Sequence, residues 1–338
     1  MSEEALSEEQ VAAYKERLAH PLGVGGVLGA TMTLAAKTAV AGVPLAMLFG
    51  AGATALSLGT LKFVAWLELQ DEAMRLNAST LCLAIGGFLL VYAALQFFKR
   101  ERASRPSWMP TLFALPMILV GLGIYVIGGP SAAQMPPLKT VPMLLAGMLL
   151  WRTFFGAFAA TAWIRTGNAA AEGQPVDVGA ALQEAGQRLP EVSAVHGGKV
   201  TAVVMGQQLI VVGIFYALQL AFADPVVVLD RDRPAIRRAS NLSYGMRSRI
   251  FRVLAVWFLL AVVASGVAAV SIDGLGVYQA SFFDPAATSP LSWVIADAAF
   301  GLTLWFETLS LLVMYRDREA QVKAKAALRR HQKALAAS

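Results

Sequence analysis

Residues 250–272 read IFRVLAVWFLLAVVASGVAAVSI, and the single charged side chain in that stretch is Arg252. About 20 residues rising 1.5 Å each cross a hydrocarbon core of roughly 30 Å, so this run is long enough to span a bilayer. A large soluble helical protein would instead show apolar residues on one helical stripe and polar ones opposite. Lipid is the solvent that such a segment calls for.

Working outward, further apolar runs fall at about 38–60, 78–98, 108–129, 141–164, 194–229 and 290–314. Hydrophobic residues make up 57% of the 338 positions and charged residues 15%, whereas a soluble domain carries about a quarter charged. The predicted fold class is therefore all-α, a polytopic transmembrane helical bundle of about seven to eight membrane-embedded helices. Residues 1–37 form an N-terminal cytosolic or interfacial segment, 38–314 the transmembrane domain, and 315–338 a basic C-terminal helix.

The joints carry the orientation signal, because lysine and arginine collect on the cytosolic side. Basic residues concentrate in Lys99–Arg105, Arg231–Arg252, Arg316–Lys333 and, more weakly, the N-terminal segment, whereas 273–289 has none. Seven simple crossings cannot place all four stretches on one side. The conflict disappears if 194–229 enters and returns as a short hairpin, with its turn near Gly213, and both termini are then cytosolic. Segment 61–77 becomes an outer amphipathic connection.

The opening residues MSEEALSEEQ lack the basic start and apolar core of a secretory signal. Ser7 and Gln10 stand at capping-box spacing and predict a short helix. Asp177 to Leu189 reads as another, with Asp177 as its N-cap and Pro190 as its stop. A further surface helix starts near Asp232.

Catalytic chemistry is not visible. The histidines His20, His196 and His331 are scattered, and Cys82 is the one cysteine, so no metal site and no disulfide are expected. Gly23 to Gly29 follows no strand, so it is not a phosphate cradle, and no cofactor is expected. Asp224 and Asp230 have no His, Cys or second carboxylate close in sequence to complete an acid–base pair.

The stretch from Val176 to about Val270 contains VDVGAALQEAGQRLP, an apolar hairpin, and then FADPVVVLDRDRPAIRRASNLSYGMRSRIFRVLAVWFLL. This resembles the membrane domain found beside bacterial glycerophosphodiester phosphodiesterases, and related bacterial inner-membrane families. The matching positions are Pro225, Val226 to Leu229, Asp230, Ala235, Arg238, Ser240, Gly245 and Arg249 or Arg252. The resemblance covers under a third of the chain and implies a bacterial inner membrane. It confers no phosphodiesterase activity, since that chemistry belongs to a separate soluble barrel.

Two sets of residues stand out. Arg231, Arg233, Arg237, Arg238, Arg247, Arg249 and Arg252 form a cluster suited to anionic lipid headgroups or to a partner. The cluster lacks interleaved aromatics, which argues against nucleic acid. Arg152, Asp297 and Glu307 are embedded charges, and Arg152 is placed to pair with either carboxylate. A charge in the core costs roughly 2.5–3.5 kcal/mol, so each needs a partner or a wet cavity. Small residues at Gly42, Ala46, Gly50 and Thr54 recur every fourth position and predict close helix packing within the chain. These features lead to two expectations. One is a non-enzymatic structural or accessory subunit, or a membrane or lipid organiser, within a membrane-protein complex. The other is a transporter of small solutes, ions or lipids that uses the three embedded charges.

Overall fold

The capping box at the N-terminus forms as its spacing predicts. In the computed structural model, which describes residues 7–98, 109–127, 136–207, 210–230, 235–281 and 289–337, the Ser7 hydroxyl accepts from the Gln10 amide at 3.2 Å. Gln10 Oε1 accepts from the Ser7 amide at 3.1 Å in return. This starts α1 (Glu8–Ala19), followed by α2 (Val24–Glu68), α3 (Glu72–Phe98), α4 (Met109–Ile127) and α5 (Pro136–Trp151). A π-helical turn, Arg152–Gly156, joins α5 to α6 (Ala157–Ala171). Then come α7 (Val178–Gln187), α8 (Leu189–Gln207), α9 (Ile210–Gln219), α10 (Ala223–Leu229), α11 (Ala235–Ser243), α12 (Arg247–Ser281) and α13 (Pro290–Ala337). The described residues contain no strand.

Six helical segments among the described residues are long and apolar enough to cross a membrane. They are Val24–Glu68, Glu72–Tyr92, Thr140–Ala171, Val211–Leu229, Arg247–Gly274 and Pro290–Ala336. Phe113–Ile127 is a shorter apolar helix. The chain is thus an all-α helical-bundle membrane protein. Many large apolar side chains point outward, among them Phe88, Phe258, Leu259 and Val211. In water these would be a liability, and in lipid they are the natural outer face.

Three local expectations are corrected. The amphipathic connection over 61–77 is instead the end of α2 and the start of α3, with only Leu69–Asp71 between them. The apolar stripe of α2 continues to Leu67, which is buried with Val64 in a second core against Ile124, Ile127 and Met143. The hairpin does bend back, since α8 and α9 pack against each other, but α8 ends at Gln207 and α9 starts at Ile210. Gly213 therefore lies inside α9 rather than at the turn, as glycines in membrane helices often do. Pro190 is not a stop. Asp177 caps α7 by accepting from the Ala180 amide at 2.9 Å, and Pro190 sits in the first turn of α8, where its missing N–H costs nothing. The start near Asp232 lies outside the described residues, and α11 is described from Ala235. The boundaries at 37 and 314 fall within the unbroken helices α2 and α13.

The centre of the bundle is the contact of α2 with α13, which the small-residue stripe makes possible. A side chain at Gly42 would strike the Trp305 ring, and one at Gly50 would strike the backbone of Asp297 and Ala298. Gly301 answers from α13, where a Cβ would lie 2.3 Å from the Ala46 carbonyl oxygen. Backbones this close gain dispersion contacts along the whole crossing. Beside them pack α6, α8, α10 and α12, which share one core around Trp163, Phe222, Ile250, Leu309 and Met314.

At one end, arginines finish the short helix α10. Arg188 donates to the carbonyls of Val227 at 2.7 Å and Val228 at 2.9 Å, and Arg165 also donates to Val228 at 2.9 Å. These guanidinium groups satisfy carbonyls that a helix leaves open at its C-terminus. Arg165 in turn pairs with Glu184.

Candidate functional site

The site is built around the π-helical turn. Trp151, the last residue of α5, donates from its indole to the Phe49 carbonyl at 3.1 Å. Its ring stacks on Phe155 with centroids 4.6 Å apart and fits a notch at Gly52, where a Cβ would be only 2.0 Å from the ring. This wedge fixes the turn against α2. The extra residue in a π turn changes the direction of the side chains that follow it, and such turns recur at functional sites. Here the turn begins with Arg152, whose guanidinium lies 5.0 Å above the Phe300 ring of α13.

From α8 come His196 and Lys199, three positions apart and so neighbours on one helical face. From α10 comes Asp224, only 5% exposed. Its Oδ1 accepts from His196 Nδ1 at 2.9 Å, and its Oδ2 accepts from Lys199 Nζ at 2.8 Å. Both carboxylate oxygens are thus satisfied by charge-assisted or strong polar contacts, as a buried acid requires. The other imidazole nitrogen is turned to Gly156, where a Cβ would lie 3.0 Å from Nε2. The glycine that ends the π turn is what lets the imidazole approach.

A cavity of about 150 Å³ lies at this junction. Arg152, His196, Lys199 and Glu307 supply its polar lining, and Phe49, Trp163 and Leu304 part of its apolar wall. The Glu307 charge acts on both Arg152 and Lys199. Yet Arg152 and Glu307 form no hydrogen bond or ion pair with each other or with any described residue. The buried indole nitrogen of Trp163 also has no hydrogen-bond partner among the described residues.

Of the predicted embedded charges, Arg152 and Glu307 line one cavity and Asp297 does not. Asp297 accepts from the Thr54 hydroxyl at 2.7 Å within the α2–α13 contact. Among the described residues Arg152 makes no hydrogen bond or ion pair with either carboxylate, although the Glu307 charge acts on it. Ten positions on α13 separate the two acids by about 15 Å along the axis, so one arginine cannot serve both.

The arginine cluster divides. Arg238 pairs with Asp230 at 3.4 Å and Glu319 at 3.3 Å, and Arg249 with Asp317 at 3.0 Å. Arg249 also donates to the Leu22 carbonyl. These two are engaged within the chain. Arg247 lies over the Phe215 ring at 4.8 Å, Arg252 donates to the Ser248 hydroxyl at 3.0 Å, and Arg237 is exposed. Arg231 and Arg233 lie outside the described residues.

Sequence reading missed His196, Lys199 and the partnership of Asp224, because each stands alone in its own segment. One signal was present: a hairpin over 194–229 brings its two arms together, so polar residues at similar depth on each arm meet. No group of three or more potential metal ligands occurs among the described residues. No family model matches the chain, and no curated protein or solved structure matches it.

Proposed function

We propose that this chain is a transporter of a small charged solute, with the cavity between Arg152, His196, Lys199 and Glu307 as its binding point. The observation that carries the reading is the unpaired state of Arg152 and Glu307 on the wall of one cavity. A purely structural ion pair gains most by direct contact, because desolvation is only repaid at short distance. Here opposite charges are held apart, on different helices, with space between. Ionisable groups kept inside a bundle around a cavity are a recurrent mark of solute and ion pathways.

Proteoliposomes holding the purified chain test this, with a panel of small charged solutes and protons under an imposed membrane potential. Uptake above empty vesicles that Arg152→Gln and Glu307→Gln abolish is the expected result. Wild-type vesicles as tight as empty ones to every solute would overturn it.

A second reading, an accessory subunit or lipid organiser, is favoured by the far end of α13. Lys323, Lys325, Arg329, Arg330 and Lys333 are all exposed there. Such a surface suits anionic headgroups or an acidic face of a membrane-protein partner. Kinship of residues 176–270 with the phosphodiesterase-associated membrane domains belongs to the same proposal, as does a non-catalytic role in a bacterial inner membrane with both termini cytosolic.

A further inference from the structure

The charges around the cavity do not all have the same work left to do. Lys199 is committed to Asp224, at 2.8 Å, and His196 to the other oxygen of the same carboxylate. That leaves one cation, Arg152, and one anion, Glu307, facing the same space with no hydrogen-bond partner among the described residues. A free anion would satisfy the first and leave the second stranded, while a free cation would do the reverse. An occupant carrying both signs satisfies both at once.

We infer that the cavity binds a small zwitterion, of the class of a short α-amino acid, with its carboxylate on Arg152 and its ammonium on Glu307. The planar guanidinium fork matches a carboxylate in two parallel hydrogen bonds, and Glu307 offers acceptors only, which suits an ammonium. The Phe300 ring beneath Arg152 holds the guanidinium without using any of its donors. Size sets the upper limit. A cavity of about 150 Å³ admits a molecule of about six non-hydrogen atoms, the size of benzene. Glycine and L-alanine fall within that limit, and larger amino acids do not unless the walls move.

This inference rests on the solute-binding part of the proposed function, but not on transport. Its test is therefore binding to the full chain in detergent, by isothermal titration, where no flux is needed. The probes are glycine, L-alanine, propionate and ethylamine, the last two being L-alanine without its amino group and L-alanine without its carboxylate, each keeping one charge. L-alanine is expected to bind at least about tenfold more tightly than either single-charge probe, since each loses one charge-assisted contact. Arg152→Gln should lose L-alanine binding. Glu307→Gln should remove the preference for L-alanine over propionate while the variant still melts as a folded protein. Equal or tighter binding of propionate to the wild type, or no binding by glycine and L-alanine, would overturn the inference. Binding in detergent without uptake into vesicles would instead sink transport and leave the zwitterion site standing.

Discussion

The imidazole of His196 and the carboxylate of Asp224 meet at 2.9 Å although 28 positions separate them, and Lys199 closes on the second oxygen from one turn further along α8. The three residues tie α8 to α10 by polar contact. Replacing Asp224→Asn leaves a buried lysine without its counter-charge, a loss of about 3–5 kcal/mol for a buried pair. The double change Asp224→Asn with Lys199→Met should recover part of that loss. Unfolding midpoints in mixed micelles measure both, and equal stabilities of the single and double variants would refute the coupling.

Gly50→Ala should weaken the bundle, because its Cβ would sit 2.6 Å from the backbone of Asp297 and Ala298. Backbone cannot yield as a flexible side chain can, so about 1–3 kcal/mol is expected for this overpacking. Gly59→Ala is the control, since nothing lies within 4 Å of a Cβ there. Comparing melting temperatures of the two variants isolates the α2–α13 contact.

These two cases also separate what the sequence makes legible from what it hides. The stripe Gly42, Ala46, Gly50 and Thr54 is periodic on one helix, so its packing role can be read directly, and the partner helix obliges with Gly301 and Trp305. Hydropathy reveals the spans because length and apolarity are local properties. The Ser7–Gln10 box is local as well. By contrast, the Asp224 site is assembled by contact between helices, and no short-range pattern records it. The π turn is equally silent, because Arg152–Gly156 has nothing in its composition that distinguishes it from α-helix. Arginines mislead for the same reason. Arg238 and Arg249 read as free positive charge until the fold brings Glu319 and Asp317 beside them.

Arg188→Ala should loosen the short helix α10 from its C-terminal end. The change removes donors from the Val227 and Val228 carbonyls, with Arg165 left to serve Val228 alone. Hydrogen bonds from charged groups contribute about 1.5–3 kcal/mol, a large share for a seven-residue helix. Hydrogen exchange over residues 223–230 should rise, and because Asp224 belongs to that helix, solute binding should weaken with it. Unchanged exchange there would show that the guanidinium caps are dispensable.

Gly156→Val tests the link between the π turn and the imidazole. Even a Cβ would lie 3.0 Å from His196 Nε2, so two further methyl groups must displace the ring. A cost of about 1–3 kcal/mol is expected, together with a longer His196–Asp224 contact. Nitrogen chemical shifts of the labelled imidazole report that contact, and shifts identical to wild type would rule out the proposed crowding.

Helix α13 runs unbroken for 48 residues, from Pro290 to Ala337. At 1.5 Å per residue that is about 72 Å, more than twice the roughly 30 Å thickness of a hydrocarbon core. Glu307 on the cavity wall and Arg329 on the exposed basic end are thus two points on one stiff rod, about 33 Å apart. Mechanically, the wall of the cavity comes with a handle that projects beyond the apolar layer. Whatever grips Lys323, Lys325 or Arg329 takes hold of the same continuous helix that presents Glu307.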